Sequence, residues 1–179
     1  MNHRQQVNQA LQLVADLMAI SARTAPKSAG QDFIELKVIH GAELHRLARA
    51  MEKYGEDTGK RNFDRDGRNV ADSEAMLLVG LNGARTLGLN CGACGYQRCG
   101  DLPAAKEGPE FRGPFCSWRM VDLGIALGSA VKTASILNAD NRIMYRAGVL
   151  ARKLGIMNAD VVIGIPLSAT GKSIYFDRK

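Results

Sequence analysis

Cysteine is scarce in this chain of 179 residues, four in all, and none lies outside positions 91–116. Aromatic residues make up only 6% and include a single tryptophan, and there are three histidines. So few histidines leave little scope for imidazole-based metal or acid–base sites, and no Ser/His/Asp or Cys/His pairing can be assigned. His40 and His45 lie near a predicted helix start and read as surface or capping residues, and His3 is expected to be disordered. No apolar run approaches a bilayer span. The longest, Val121 to Leu137, is broken by Asp122 and Lys132 and reads as an amphipathic helix, so no membrane association is expected. The opening residues Met1 to Gln6 are polar and develop no continuous apolar stretch, which sets the expectation of a cytoplasmic protein with reduced thiols. Twenty-four Lys and Arg stand against eighteen Asp and Glu, a net charge of +6. The cations are dispersed, as on a solvated surface, so nucleic-acid binding is not expected; an anionic partner or a cofactor phosphate is compatible with the excess.

What is present is one site's worth of sulfur. Cys91, Cys94, Cys99 and Cys116 form the spacing C-x2-C-x4-C-x16-C. Four thiolates are a complete ligand set for a tetrahedral ion or an iron-sulfur cluster. A chain of this length builds its own core and does not need disulfides. Zinc and iron-sulfur both remain open at this point. A four-cysteine zinc site usually comes as two close pairs, and only Cys91 and Cys94 make one, whereas a cubane accepts a compact three-ligand loop plus a distant fourth. Glycines follow three of the cysteines, Gly92, Gly95 and Gly100, and favour a cluster without deciding the matter. The zinc alternative would make the chain an interaction module without catalysis.

The segment Asn90-Cys91-Gly92-Ala93-Cys94-Gly95-Tyr96, with Cys99 and Cys116 beyond it, resembles the [4Fe-4S] module of the B subunit of the Rnf electron-transport complex and that of the corrinoid iron-sulfur protein. Ser117 stands where those modules commonly carry proline. The resemblance implies a [4Fe-4S] cluster on the four cysteines and electron transfer to a redox partner protein or a small-molecule electron acceptor. Trp118 would then shield it from solvent.

Around this segment the pattern is α+β. Val7, Leu11, Val14 and Met18 predict a helix over 4–22, and Phe33 to Ile39 a strand. Leu44, Leu47, Ala48 and Met51 predict a helix closing near Gly55. Glu56 to Asn69 reads as a polar loop, with Asp64 and Asp66 in a solvated turn, and Ala75 to Leu81 as a second strand. Helices over Val121 to Leu137 and Asn141 to Leu154 are separated by Asn138-Ala139-Asp140 as a cap, and Asp160 to Ile165 is a candidate interior strand. One domain over 1–179 is expected, with 89–119 as an inserted cluster-binding segment. The run Gly164 to Ser173 ends in Gly-Lys-Ser, but a phosphate loop needs glycine where Pro166 stands.

The stretch Ala22-Arg23-Thr24-Ala25-Pro26-Lys27-Ser28-Ala29-Gly30-Gln31, together with Ala151 to Ile156 and Ile163 to Pro166, is similar to flavin-dependent nitroreductases. The resemblance implies a nitroreductase-like fold, a central mixed sheet flanked by helices, in a homodimer with FMN at its interface. It also implies FMN-dependent oxidoreductase activity. Ser28 and Gln31 would approach the isoalloxazine, and Arg23, Lys27 or Lys172 the phosphate. Lys27 separates Pro26 from Ser28, Gln31 replaces an asparagine and Phe33 a glutamine of the family pattern, so FMN stays an open expectation. The two features together are similar to uncharacterised prokaryotic ferredoxin-domain proteins.

Overall fold

A computed structural model describes residues 2–176. Helix α1 spans His3–Thr24 and starts in a capping box: Asn2 accepts from the Gln5 N–H, and the Gln5 side chain accepts from the Asn2 N–H. Its buried stripe is Leu11, Ala15, Met18 and Ala22. After a 3-10 turn at Ser28–Gly30 come strand β1, Ile34–His40, and helix α2, Gly41–Thr58.

Helix α2 runs past the predicted stop at Gly55 and ends at the left-handed Gly59, whose N–H reaches the Gly55 carbonyl. Gly55 is a packing residue, since a Cβ there would lie 3.1 Å from Phe63. The expected polar loop over 56–69 is instead largely helix α3, Phe63–Ala71. Phe63, Gly67 and Val70 form one stripe at helical spacing, and Gly67 brings α3 down onto Ala48 and Glu52 of α2. Asp66 is likewise buried, not solvated, because Arg65 and Arg146 hold its carboxylate at 2.7 and 2.9 Å.

Strand β2, Ala75–Leu81, is buried throughout. Short strands β3, Lys106–Glu107, and β4, Arg112–Gly113, form a hairpin before helix α4, Ser117–Ile136. Strand β5, Asp140–Asn141, then helix α5, Tyr145–Lys153, and strand β6, Val161–Ser168, complete the chain's elements. Residues 138–140 were expected to cap a helix from 141. Asn138 instead turns the chain at φ 53°, and Asp140 and Asn141 pair with Ser168 and Leu167, which covers part of the outer edge of β6.

The main sheet has the order β1-β2-β6-β5. The expected mixed sheet is antiparallel at every one of these pairings. Strand β6 is interior, as its apolar run suggested. Residues along β2 alternate between two cores: Leu77, Val79 and Leu81 meet α1 and α4, whereas Met76 and Leu78 meet α2 and α5. The α+β fold is thus a sheet covered on both faces. Helix α5 touches β6 so closely that a Cβ at Gly148 would sit 1.7 Å from the Val162 carbonyl oxygen. Gly148→Ala is expected to cost about 2–3 kcal/mol, read as a lowered urea midpoint.

Candidate functional site

The cysteines lie on the connection between β2 and α4. As the chain leaves β2, the Asn82 N–H donates to Phe33 O and the Gly83 N–H to the Asp160 carboxylate, which fixes where the loop begins. Asn90, Gly92 and Gly95 adopt φ of 49°, 73° and 89°. Left-handed residues at this density reverse the chain within a few residues, and glycine tolerates them best. The Gly95 N–H closes one turn on Gly92 O at 2.9 Å.

Three contacts organise the cysteine segment. Asn90 and Cys99 bond reciprocally: the Asn90 N–H donates to Cys99 Sγ at 3.3 Å, and the Cys99 N–H donates to Asn90 Oδ1 at 2.8 Å. Ser117 Oγ donates to Ala93 O at 2.9 Å, which holds the Cys91–Cys94 turn against the start of α4. The Trp118 indole reaches Cys91, whose thiol is pulled below its ordinary value by hydrogen bonds from the Ala93 N–H first and from Trp118 second. Cys116 is the N-cap of α4, and its carbonyl accepts from the Arg119 and Met120 N–H groups. All four are free thiols; Cys91 is exposed and Cys116 buried. Among the described residues, no three His, Cys, Asp or Glu side chains are gathered at metal-binding distance. The donor set nevertheless suits a thiolate-bound metal group: four free thiols on one connection, the last of them at the N-cap of α4, where anionic charge is favoured, with one amide already aimed at the Cys99 sulfur.

Arg119 and Asp122, near the cysteines in sequence, anchor a buried polar network that a linear reading does not reveal. Arg119, fully buried, donates from Nε to Arg85 O at 2.8 Å and from its Nη groups to Ser28 O at 3.0 Å and Gln31 Oε1 at 2.5 Å. It pairs with the buried Asp122 at 3.2 Å and stacks over Phe33 at 4.8 Å. Asp122 also accepts from the N–H and Oγ of Ser28, both at 2.8 Å. One ion pair therefore ties the cysteine loop, the turn after α1 and the first turns of α4 together. The available signal was the Arg-x-x-Asp spacing of Arg119 and Asp122, which puts both on one helix face.

That network engages two residues proposed for FMN, Ser28 and Gln31. A third is committed to α1: the Lys27 ammonium donates to the carbonyls of Ala22, Arg23 and Ala25 at 2.9, 2.5 and 2.8 Å. Arg23 binds Asp32 and Ile34 O. Lys172 lies beyond β6, two residues from Thr170, which lines a groove with His3 and Arg4 at the start of α1. The register puts Leu167 level with Ala75 and His40, and Ile34 at the other end of the strands. Within one chain, Lys172 thus stands at the far end of the sheet from Arg23 to Gln31. Within one chain, then, Lys27, Ser28 and Gln31 are engaged by the fold itself, and Lys172 stands apart from them. A separate cleft of about 440 Å3, lined by Asn82, Glu107, Arg112, Arg152 and Asp160, contains none of them, and its arginines are paired with its carboxylates.

An uncharacterized protein of Archaeoglobus fulgidus is 50% identical over 179 residues, covering 99% of this chain and 97% of its own. Residues 112–178 match the family described as uncharacterized protein containing a ferredoxin domain (DUF2148). The chain belongs to this ferredoxin-domain family. The matched region of this ferredoxin-domain protein begins just before Cys116 and runs through β6. Its fold is that of the nitroreductases. A nitroreductase with bound FMN from Desulfitobacterium hafniense superimposes with a TM-score of 0.58 at 15% identity, covering 89% of this chain and 78% of the other. The FMN-dependent nitroreductase of Mycobacterium smegmatis in complex with NADPH gives 0.56 at 12%, covering 88% and 78%.

Proposed function

We propose that the ferredoxin-domain protein holds one [4Fe-4S] cluster on Cys91, Cys94, Cys99 and Cys116 and serves as a cytoplasmic one-electron redox protein. The observation that supports this reading is that the four cysteines, all free thiols, sit on one connection that ends at the N-cap of α4 and is tied there by the Ser117–Ala93 and Trp118–Cys91 contacts, with Asn90 bonded to Cys99. When bound, such a cluster supplies a one-electron couple at a potential set by burial and hydrogen bonds to sulfur. The residues of the chain set those conditions. Asn90 donates an N–H to sulfur, the Trp118 indole donates to the Cys91 thiol while leaving it exposed, and the start of α4 favours negative charge. Residues 89–119 act in this proposal as a cluster-binding insert in a single domain.

The electron is exchanged with a redox partner protein or a small-molecule acceptor. FMN carries less of the argument, because Lys27, Ser28 and Gln31 are engaged within the chain. A homodimer is part of the proposal, supported by the outer faces of α1 and α4. Leu13, Ile20 and Ile136 are 59, 59 and 68% exposed, and Gly124 and Gly128 lie between Val121 and Ile136 with open space above them. So continuous an apolar face invites a second copy. Among the described residues no helix is long and apolar enough to cross a membrane.

Anaerobic purification tests the reading. The expected result is a brown protein with about four iron and four acid-labile sulfide per chain, an absorbance band that bleaches with dithionite, and sedimentation as a dimer. A colourless protein with one zinc per chain overturns the cluster, and a monomer at micromolar concentration overturns the dimer. One released flavin per chain would bring FMN back.

A further inference from the structure

Large apolar side chains stand exposed close in sequence to the cysteines. Leu89, Tyr96, Trp118 and Met120 are 61, 36, 41 and 41% exposed, although they flank the ligand candidates directly. Leu89 and Tyr96 lie on the loop and Trp118 and Met120 on the first turn of α4, and large apolar side chains left in water there call for a partner. The loop itself carries an excess of positive charge. Between Gly83 and Lys106 the sequence has Arg85, Arg98 and Lys106 against one carboxylate, Asp101. All three cations are exposed, and none makes an ion pair among the described residues. The other cations near this end of the sheet behave differently: Arg119, Arg23 and Arg112 are each paired with aspartate.

We propose that this loop is the docking surface for an acidic electron-carrier protein, with Tyr96 and Trp118 as its apolar centre and Arg85, Arg98 and Lys106 as its cationic rim. Charge complementarity selects the occupant. An apolar centre within a charged rim is how protein contacts combine burial with steering, and exposed, unpaired cations raise the encounter rate with an anionic partner. The place also suits the traffic. The Trp118 indole touches Cys91, the most exposed ligand candidate, so a protein seated on Trp118 lies beside it. Arg85 is held for this task by its backbone, whose carbonyl Arg119 binds, which leaves its guanidinium in solvent.

The proposal rests on the redox reading, and its test separates the two. Anaerobically purified protein is titrated by calorimetry with a plant-type [2Fe-2S] ferredoxin, a strongly acidic carrier, and with cytochrome c, a basic one, while iron, sulfide and zinc are measured on the same sample. Ferredoxin is expected to bind, and its affinity to fall by about tenfold or more as salt is raised to about 0.5 M, where screening acts within a few ångströms. The double substitution Arg85→Glu/Arg98→Glu is expected to cost about tenfold or more at low salt with an unchanged melting temperature, since neither side chain supports the fold. Tyr96→Ala is expected to weaken binding at both salt concentrations. The surface is overturned if ferredoxin does not bind, if charge reversal leaves its affinity unchanged, or if cytochrome c or a single-stranded oligonucleotide binds more tightly. Salt-dependent ferredoxin binding by a zinc-loaded protein would sustain the surface and overturn its redox purpose.

Discussion

Replacing Arg119 with methionine is expected to destabilise the protein by about 3–5 kcal/mol, the range for breaking one side of a buried ion pair. At this chain length that corresponds to a fall in melting temperature of about 10 °C. The cause is what the change leaves behind. Asp122, itself buried, would keep only the two bonds from Ser28, while Arg85 O, Ser28 O and Gln31 Oε1 would lose their donor. Arg119→Met/Asp122→Leu is expected to be less damaging than Arg119→Met alone, because it removes the stranded carboxylate with its partner. A double-mutant cycle in urea measures this coupling, expected at about 1–3 kcal/mol. Strict additivity of the two changes would mean that the pair does not act as a unit. Arg119→Lys keeps the charge but not the fork that serves several acceptors, so a substantial part of the loss is expected to remain.

The contrast between Arg119 and Cys116, three residues apart, shows what the sequence made legible. The cysteines stood out because thiolate ligation requires one residue type at a restricted spacing, and the chain uses that type nowhere else. Arg119 is one of many arginines, and nothing in a linear reading says that its partners will be carbonyls of residues 85 and 28. Long-range pairing of a common residue leaves no local mark. The strands were clear for a related reason: β2 and β6 are interior, and their apolar runs record burial on both faces.

Helix α3 was hidden by composition. Its stripe of Phe63, Gly67 and Val70 is sparse, and the Asp, Arg and Asn between them read as loop until Arg65 and Arg146 are seen closing on Asp66. The short β5 was hidden by length, since two residues show no period. Lys27 escaped for a chemical reason. An exposed lysine beside a helix end suggests a phosphate ligand, but the carbonyls left unpaired at the end of α1 bind the same ammonium. The fold was legible where burial imposed a pattern, and the candidate site where ligation chemistry did.

Serine substitutions at the four cysteines give the largest expected functional effect, and their ranking follows from burial. Cys116→Ser is expected to remove the cluster: iron should fall from about four to below one per chain, with loss of visible absorbance, because a serine hydroxyl is a poor, hard substitute for thiolate. Cys116 is also the residue from which α4 departs, so nothing else can occupy that corner without moving the helix. Cys91 is exposed, so water or an added thiol can take its place; Cys91→Ser is expected to retain part of the iron and recover with exogenous thiol. Cys94→Ser and Cys99→Ser should fall between, since both positions are half-buried. The fold itself is expected to survive in all four, because both apolar cores are built from the helices and the main sheet and contain none of the cysteines. Far-UV circular dichroism should therefore stay near that of the parent while iron and sulfide disappear. The opposite pattern, chains that unfold on losing one zinc ion and never contained sulfide, would make the four thiols a structural clamp.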